Sequence, residues 1–287
     1  MKLNIKHNNK IFLALIAFLV IAFISAAQSS DVPVQDSDGY YLIGTAAQLK
    51  WFRDQVNAGA KTLNAKLTAD IDLDGSEGDQ WAPIGGYRVR SDGDRYSGIF
   101  DGGGHEITGL YINNTKISYQ GLFSCVDGTI KNLTVRGSVK ANGNVGILCG
   151  ICVGYDTTIK NITVSGSVEG EGSTGGICGF VEGVDVTITN CVNESNVTGQ
   201  GGICGEENAR RTTFTNCINK GSVTASYNVG GICGTSSNIT TYTNCVNEGN
   251  ITGAYSGGIC GEAWDSTITS CVNKGNIRSG TTGGICG

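Results

Sequence analysis

One pentapeptide returns six times and limits what this chain can fold into. "GILCG" starts at Gly146, and "GGICG" starts at Gly175, Gly201, Gly230, Gly257 and Gly283. Successive copies therefore stand 29, 26, 29, 27 and 26 residues apart. A second block runs between them: "TITNCVNESNVTG", "TFTNCINKGSVTA", "TYTNCVNEGNITG" and "TITSCVNKGNIRS". Two earlier copies, "TIKNLTVRGSV" from Thr129 and "TIKNITVSGSV" from Thr158, keep the shape without the cysteine. Self-similarity at this period is the mark of a repeat architecture.

Each unit holds three short strand-like pieces. Val184, Val186 and Ile188 alternate with Asp185, Thr187 and Thr189, which is the period of a strand with one buried face. Asn, Gly and Ser then break the pattern every few residues. Such a unit cannot bury its apolar face alone, but it can when stacked coil on coil at about 4.8 Å per turn. The expected fold is all-β, a parallel β-solenoid. Leucine-rich repeats and propeller blades fit worse, because no unit shows a helix, regular Leu offsets or four strands.

Stacking makes like residues into columns. Asn132, Asn161, Asn190, Asn216 and Asn244 share one position, with Ser270 as the exception. An inward-facing amide there can bond its copies above and below. A second, less certain ladder is Asn193, Asn219, Asn247 and Asn273.

The 12 cysteines follow the same logic. One column is Cys191, Cys217, Cys245 and Cys271, preceded by Leu133 and Ile162. The other is Cys178, Cys204, Cys233, Cys260 and Cys286, with Cys149 or Cys152 and Phe123 before them. Positions filled by Leu, Ile or Cys are core positions, where thiols behave as small hydrophobes. Parallel Cβ vectors about 4.8 Å apart suit disulfides poorly. Free buried thiols are the reading, suited to an anoxic habitat, and bridges between columns are its rival. Cys149-Gly-Ile-Cys152 is a C-x-x-C, but it has no second pair, no helix start and only His105 beyond the leader. No metal, cofactor or catalytic residue is assigned.

The front of the chain differs. Residues 1–27 read as a signal peptide, with Lys2, Lys6 and Lys10, an apolar run from Ile11 to Ile24, and Ser25-Ala26-Ala27 for cleavage. Removing it takes the net charge from −5 to −8, and no basic cluster exceeds Arg210-Arg211, which disfavours nucleic acid. Residues 28–115 read as an N-terminal cap and first coils, and residues 116–287 as the repeats, ending mid-repeat. "TAAQLKWFRDQVNAG" predicts a helix capped by Thr45, with Gln48 completing a capping box and Leu49, Phe52 and Val56 on one face. Leu67, Ala69, Ile71 and Leu73 alternate with Thr68, Asp70, Asp72 and Asp74 as a strand. Those acids imitate a calcium loop, yet Trp81 stands where its glutamate belongs. Seven Asn-x-Ser/Thr sequons, at Asn113, Asn132, Asn161, Asn193, Asn196, Asn238 and Asn250, follow from the abundance of Asn and Thr.

"YYLIGTAAQLKWF", "LTADIDLDG", "WAPIG", "YSGIFDGGGHEITGL" and "GLFS", followed by the repeats, resemble bacterial surface and adhesin-like proteins with GLUG-type repeats, as found beside immunoglobulin A protease domains. The resemblance spans nearly all of the chain after the leader. It implies a right-handed parallel β-helix on an exported protein, secreted or held at the cell surface, and it supplies no biochemical role. Here Cys replaces the usual Val or Leu of the Gly-Gly-x-x-Gly element.

Parallel β-helices also carry polysaccharide lyases and hydrolases. A glycosidase needs two carboxylates at a set separation. Glu206, Glu207 and Arg210 form the most irregular charged loop, and Glu182 and Glu262 hold related positions; all are expected to be exposed loop charges. "HEITG" from His105 lacks the second histidine of a zinc protease. The expected function is a non-catalytic surface scaffold, its partners host or environmental glycans or surface proteins. The alternative is a carbohydrate-active or carbohydrate-binding β-helix. Contact with a membrane is expected only through the leader or a C-terminal anchor absent from this sequence.

Overall fold

The computed structural model describes residues 31–86, 95–278 and 280–287. The predicted signal peptide lies outside the described residues. The described residues form a parallel β-solenoid of about eight turns with one N-terminal helix. Every pairing between its named strands is parallel, twenty strands lying in one sheet and six in another. The smaller sheet stacks Phe123–Val126, Cys149–Cys152, Cys178–Val181, Cys204–Glu207, Cys233–Ser236 and Cys260–Ala263 in chain order.

The predicted helix spans Ala46–Asn57. Thr45 Oγ1 accepts from the Gln48 N–H at 3.2 Å, and Gln48 Oε1 accepts from the Gly44 N–H at 2.8 Å. The glutamine thus reaches one residue further back than a capping box requires. Leu49, Phe52 and Val56 are buried, and Phe52 meets Tyr96 and Phe100, each at 5.9 Å between ring centroids. Tyr96 and Phe100 in turn contact Phe123 of the smaller sheet. The helix thereby buries its apolar stripe against the first coils.

Two strand predictions change at corners. The alternating run from Leu67 to Leu73 keeps its burial pattern but splits into Asn64–Leu67 and Ile71–Asp72. The strand expected from Val184 begins at Val186, because Asp185 takes a left-handed turn with φ 60°.

Inside the rod, like residues do form files. Ile130, Ile159, Ile188, Phe214, Tyr242 and Ile268 are successive register partners. The first five are buried, and the Phe214 and Tyr242 rings lie 5.1 Å apart and 4° from parallel. The second cysteine file resolves as Phe123, Cys149, Cys178, Cys204, Cys233 and Cys260, with Cys286 beside Cys260 through parallel backbone pairing. Cys149, not Cys152, is therefore its early member.

Candidate functional site

One extended polar feature is an outward-facing, largely half-buried strand face. Thr129, Thr158, Thr187, Thr213, Thr241 and Thr267 are register partners on six successive coils. Two residues along each strand a second file runs Lys131, Lys160, Thr189, Thr215, Thr243 and Thr269. The intervening residue of each strand points inward, so both files face out. The result is a grid of hydroxyls about 4.8 Å apart between coils and about 6.7 Å apart along a strand.

The first asparagine column borders this face. Its residues turn a left-handed corner, with φ of 55°, 55°, 53°, 53° and 55° at Asn132, Asn161, Asn190, Asn216 and Asn244. Each Nδ2 donates to the Oδ1 of the coil before, at 2.8, 3.0, 3.0 and 3.3 Å. Asp101 accepts from Asn132 at 3.0 Å and closes the lower end. The expected ladder exists, but it faces solvent rather than the interior. The residue after each Asn is the inward one: Leu133, Ile162, Cys191, Cys217 and Cys245 are all buried.

The buried ladder is the other one. Asn193, Asn219 and Asn247 have no exposed surface, and each Nδ2 donates at 2.8 Å to the Oδ1 of the next coil, ending on Asn273. Each also donates to a carbonyl two residues on, that of Ser195, Gly221 or Gly249. A charged edge follows, where Lys220 bonds Glu194 and Lys274 bonds Glu248, both at 3.0 Å. Tyr155, Tyr227, Tyr255 and Trp264 expose more than half of their surface.

A cleft of about 790 Å³ lies near the helix end of the rod. Trp81, Gln80, Asn113, Tyr119 and Gln120 help line it. Arg53 lies over the Trp81 ring at 4.9 Å from its centre, and the indole N–H donates to the Leu122 carbonyl.

The acids singled out in the sequence separate. Asp70 accepts from the Glu106 N–H and pairs with the His105 ring, which together hold its carboxyl below the usual range. Asp72 accepts from the Asp74 N–H. Glu262 accepts from Asn228 and Trp264, and Glu206 from Ser173. Arg210 is exposed, while its neighbour Arg211 pairs with Asp185.

Glu207 corrects the expectation of a loop charge, for it is wholly buried. Its Oε1 accepts from the Ala209 N–H at 2.7 Å and the Thr212 hydroxyl at 2.8 Å. Its Oε2 accepts from Thr240 at 2.6 Å and Ser236 at 3.3 Å. Burial pushes the carboxyl up despite these bonds. Glu206 keeps some exposure and faces Phe180 and Thr235 on neighbouring coils. The two carboxylates thus share no space in which a glycosidic bond could sit.

All twelve cysteines are free thiols, ten of them buried. Cys125 is pushed up to about 12, chiefly by burial. One group breaks the one-cysteine-per-coil rule of the smaller sheet. The Cys149 and Cys152 sulfurs are 3.5 Å apart, and Cys152 is 3.5 Å from Cys178. Both ends of the strand Cys149–Cys152 turn inward, and the coil above supplies the third sulfur. The sequence offered Cys149 and Cys152 as a pair and gave no sign that Cys178 completes a trio. For Cys178 the penalty of burial is overcome by its hydrogen bonds with Cys149, Cys152 and Cys204, so it lies below the usual thiol range.

No family model matches the chain. Over 138 residues it is 33% identical to a protein of Evansella cellulosilytica that carries the name of a Gly-rich membrane protein, a match covering 43% of this chain and 15% of that one. Over 98 residues it is 32% identical to halomucin of Haloquadratum walsbyi, covering 32% of this chain and 1% of halomucin. The chain thus spans a small part of the curated relatives it matches. Among solved structures, a candidate immunoglobulin A1 protease from Bacteroides ovatus superposes with a TM-score of 0.70 over 85% of this chain and 78% of that one, at 24% identity. That likeness is one of fold. Among the described residues no helix is long and apolar enough to cross a membrane.

Proposed function

We propose that this chain is a non-catalytic exported scaffold of the GLUG-repeat, adhesin-like kind, presenting an extended solenoid face at a cell surface. The observation that carries the reading is the registered Thr and Asn face, in which one Thr file runs over six coils, a second over four and the Asn column over five. A catalytic centre needs a unique constellation, whereas a repeated face offers many equal, weak contacts to an extended partner. The likeness to a protein named as membrane-bound supports a surface location. Glycans and surface proteins are the partner classes that suit a hydroxyl and amide grid.

Carbohydrate binding is the second reading, favoured by the cleft beside Trp81 and Tyr119 and by the exposed aromatic rings. Two assays on the full chain separate the readings from catalysis. The first is a glycan and host-protein array, and the second a product screen on plant and host polysaccharides. Binding without product is expected, weakened when Thr213, Thr215, Thr241 and Thr243 are changed together to Lys. Turnover that disappears on changing Glu206 or Arg210 would overturn the proposal.

A further inference from the structure

We propose that Cys149, Cys152 and Cys178 form a binding site for one thiophilic metal ion, and specifically for Cu(I). The three sulfurs lie within 4.8 Å of one another and come from two successive coils. A metal about 2.3 Å from three sulfurs in a plane sets them about 4.0 Å apart. The contacts of 3.5 Å need to open by only about half an ångström to admit it.

The donor set selects the ion. Calcium and magnesium take oxygen ligands, and none is offered. Structural zinc is almost always four-coordinate. Among the described residues no fourth Cys, His or carboxylate joins the group. Cys149, Cys152 and Cys178 have no exposed surface, so the fourth position does not open to solvent. Soft sulfur donors favour Cu(I), which is satisfied by three.

Ordinary core packing accounts for the cysteine file but not for Cys152, which stands outside it. Its register partners above and below are Val181 and Val126, so valine already fits that position. Binding sends protons from the thiols to solvent. Ligation by two thiolates and one thiol releases two protons and leaves a single buried negative charge.

The test uses the full chain, purified reduced and without oxygen, and titrated with Cu(I) against a colorimetric Cu(I) chelator. One equivalent is expected to be retained, with a near-ultraviolet thiolate-to-copper band and three sulfur neighbours by X-ray absorption. Cys152→Val restores the valine of adjacent coils and should fold, as a thermal melt will check, while holding copper at least tenfold more weakly. Cys245→Val, in the other file, should bind as the parent does. Equal binding by Cys152→Val, no retention against the chelator, or tighter retention of Zn(II) than of Cu(I) would each overturn the proposal.

Discussion

Gly231 packs directly on the side-chain amide of Asn247, so closely that a Cβ on the glycine would overlap the amide carbon. The same contact joins Gly176 to Asn193, Gly202 to Asn219 and Gly258 to Asn273. The second glycine of the first four "GGICG" copies is thus the space into which the buried ladder fits. The first unit bears this out in reverse: Ile147 replaces that glycine, and Val164 stands in the ladder file opposite Asn193.

Gly231→Ala is accordingly expected to cost about 1–3 kcal/mol, the range for overpacking a dense core. Denaturant unfolding reads it. In a double-mutant cycle, Gly231→Ala with Asn247→Val should lose less than the two single changes summed. A Gly231→Ala protein as stable as its parent would refute the tight contact.

The two asparagine files should respond differently to the same change. Asn219→Ala orphans the Gly221 carbonyl and breaks two rungs, at about 1–3 kcal/mol for each buried group left unpaired. Asn216→Ala loses solvent-exposed rungs and puts alanine at φ 53°, a strain of about 1–2 kcal/mol. Glycine relieves that strain, so Asn216→Gly should unfold later than Asn216→Ala. Asn219→Gly should show no such relief.

Glu207 ties stability to pH. Its carboxyl is raised above the ordinary value of 4.5, so the fold keeps its proton longer than the unfolded chain does. The sign follows: this contribution is full below 4.5 and is lost as pH climbs from there through the raised folded value. Glu207→Gln should flatten that slope, because the Thr212, Ser236 and Thr240 hydroxyls can turn to suit an amide. Glu207→Ala should destabilise at every pH, with the Ala209 N–H left unpaired at about 1–3 kcal/mol. Thermal melts from pH 4 to 8 distinguish the three; a parent slope unchanged in Glu207→Gln would reject the assignment.

Phe214 and Tyr242 are the two aromatic members of their file, stacked ring on ring. Phe214→Ala should cost about 3–5 kcal/mol and leave the Tyr242 ring without its stacking partner. Phe214→Ile, which copies Ile188 one coil before, should cost less. Near-ultraviolet circular dichroism of the tyrosines and a urea melt report both effects.

The stacking was legible because each side chain in a solenoid meets its own copies, so sequence columns become spatial files. The file from Cys191 to Cys271 needed nothing more. The files that misled are those where the corner, not the period, decides direction. Asn132 to Asn244 bond as a ladder yet face out, since a left-handed turn places the following residue inside. Residues three apart on the smaller sheet both face in, which ordinary alternation forbids. That is why Cys152 was ambiguous and why Glu207 read as a loop charge. One signal was available: Glu207 follows Cys204 by three, as Cys152 follows Cys149 and Val181 follows Cys178. Of the hydroxyls that receive it, Thr212 stands five residues on, while Ser236 and Thr240 lie on the next coil and left no mark near it in the chain.

The edge where Lys220 meets Glu194 and Lys274 meets Glu248 has a consequence for how such a rod can lengthen. Charges there cancel two turns at a time. Growth by duplicating a pair of turns preserves neutrality, while a single added turn strands one ion without its opposite. Even increments are therefore the electrostatically quiet route to a longer molecule.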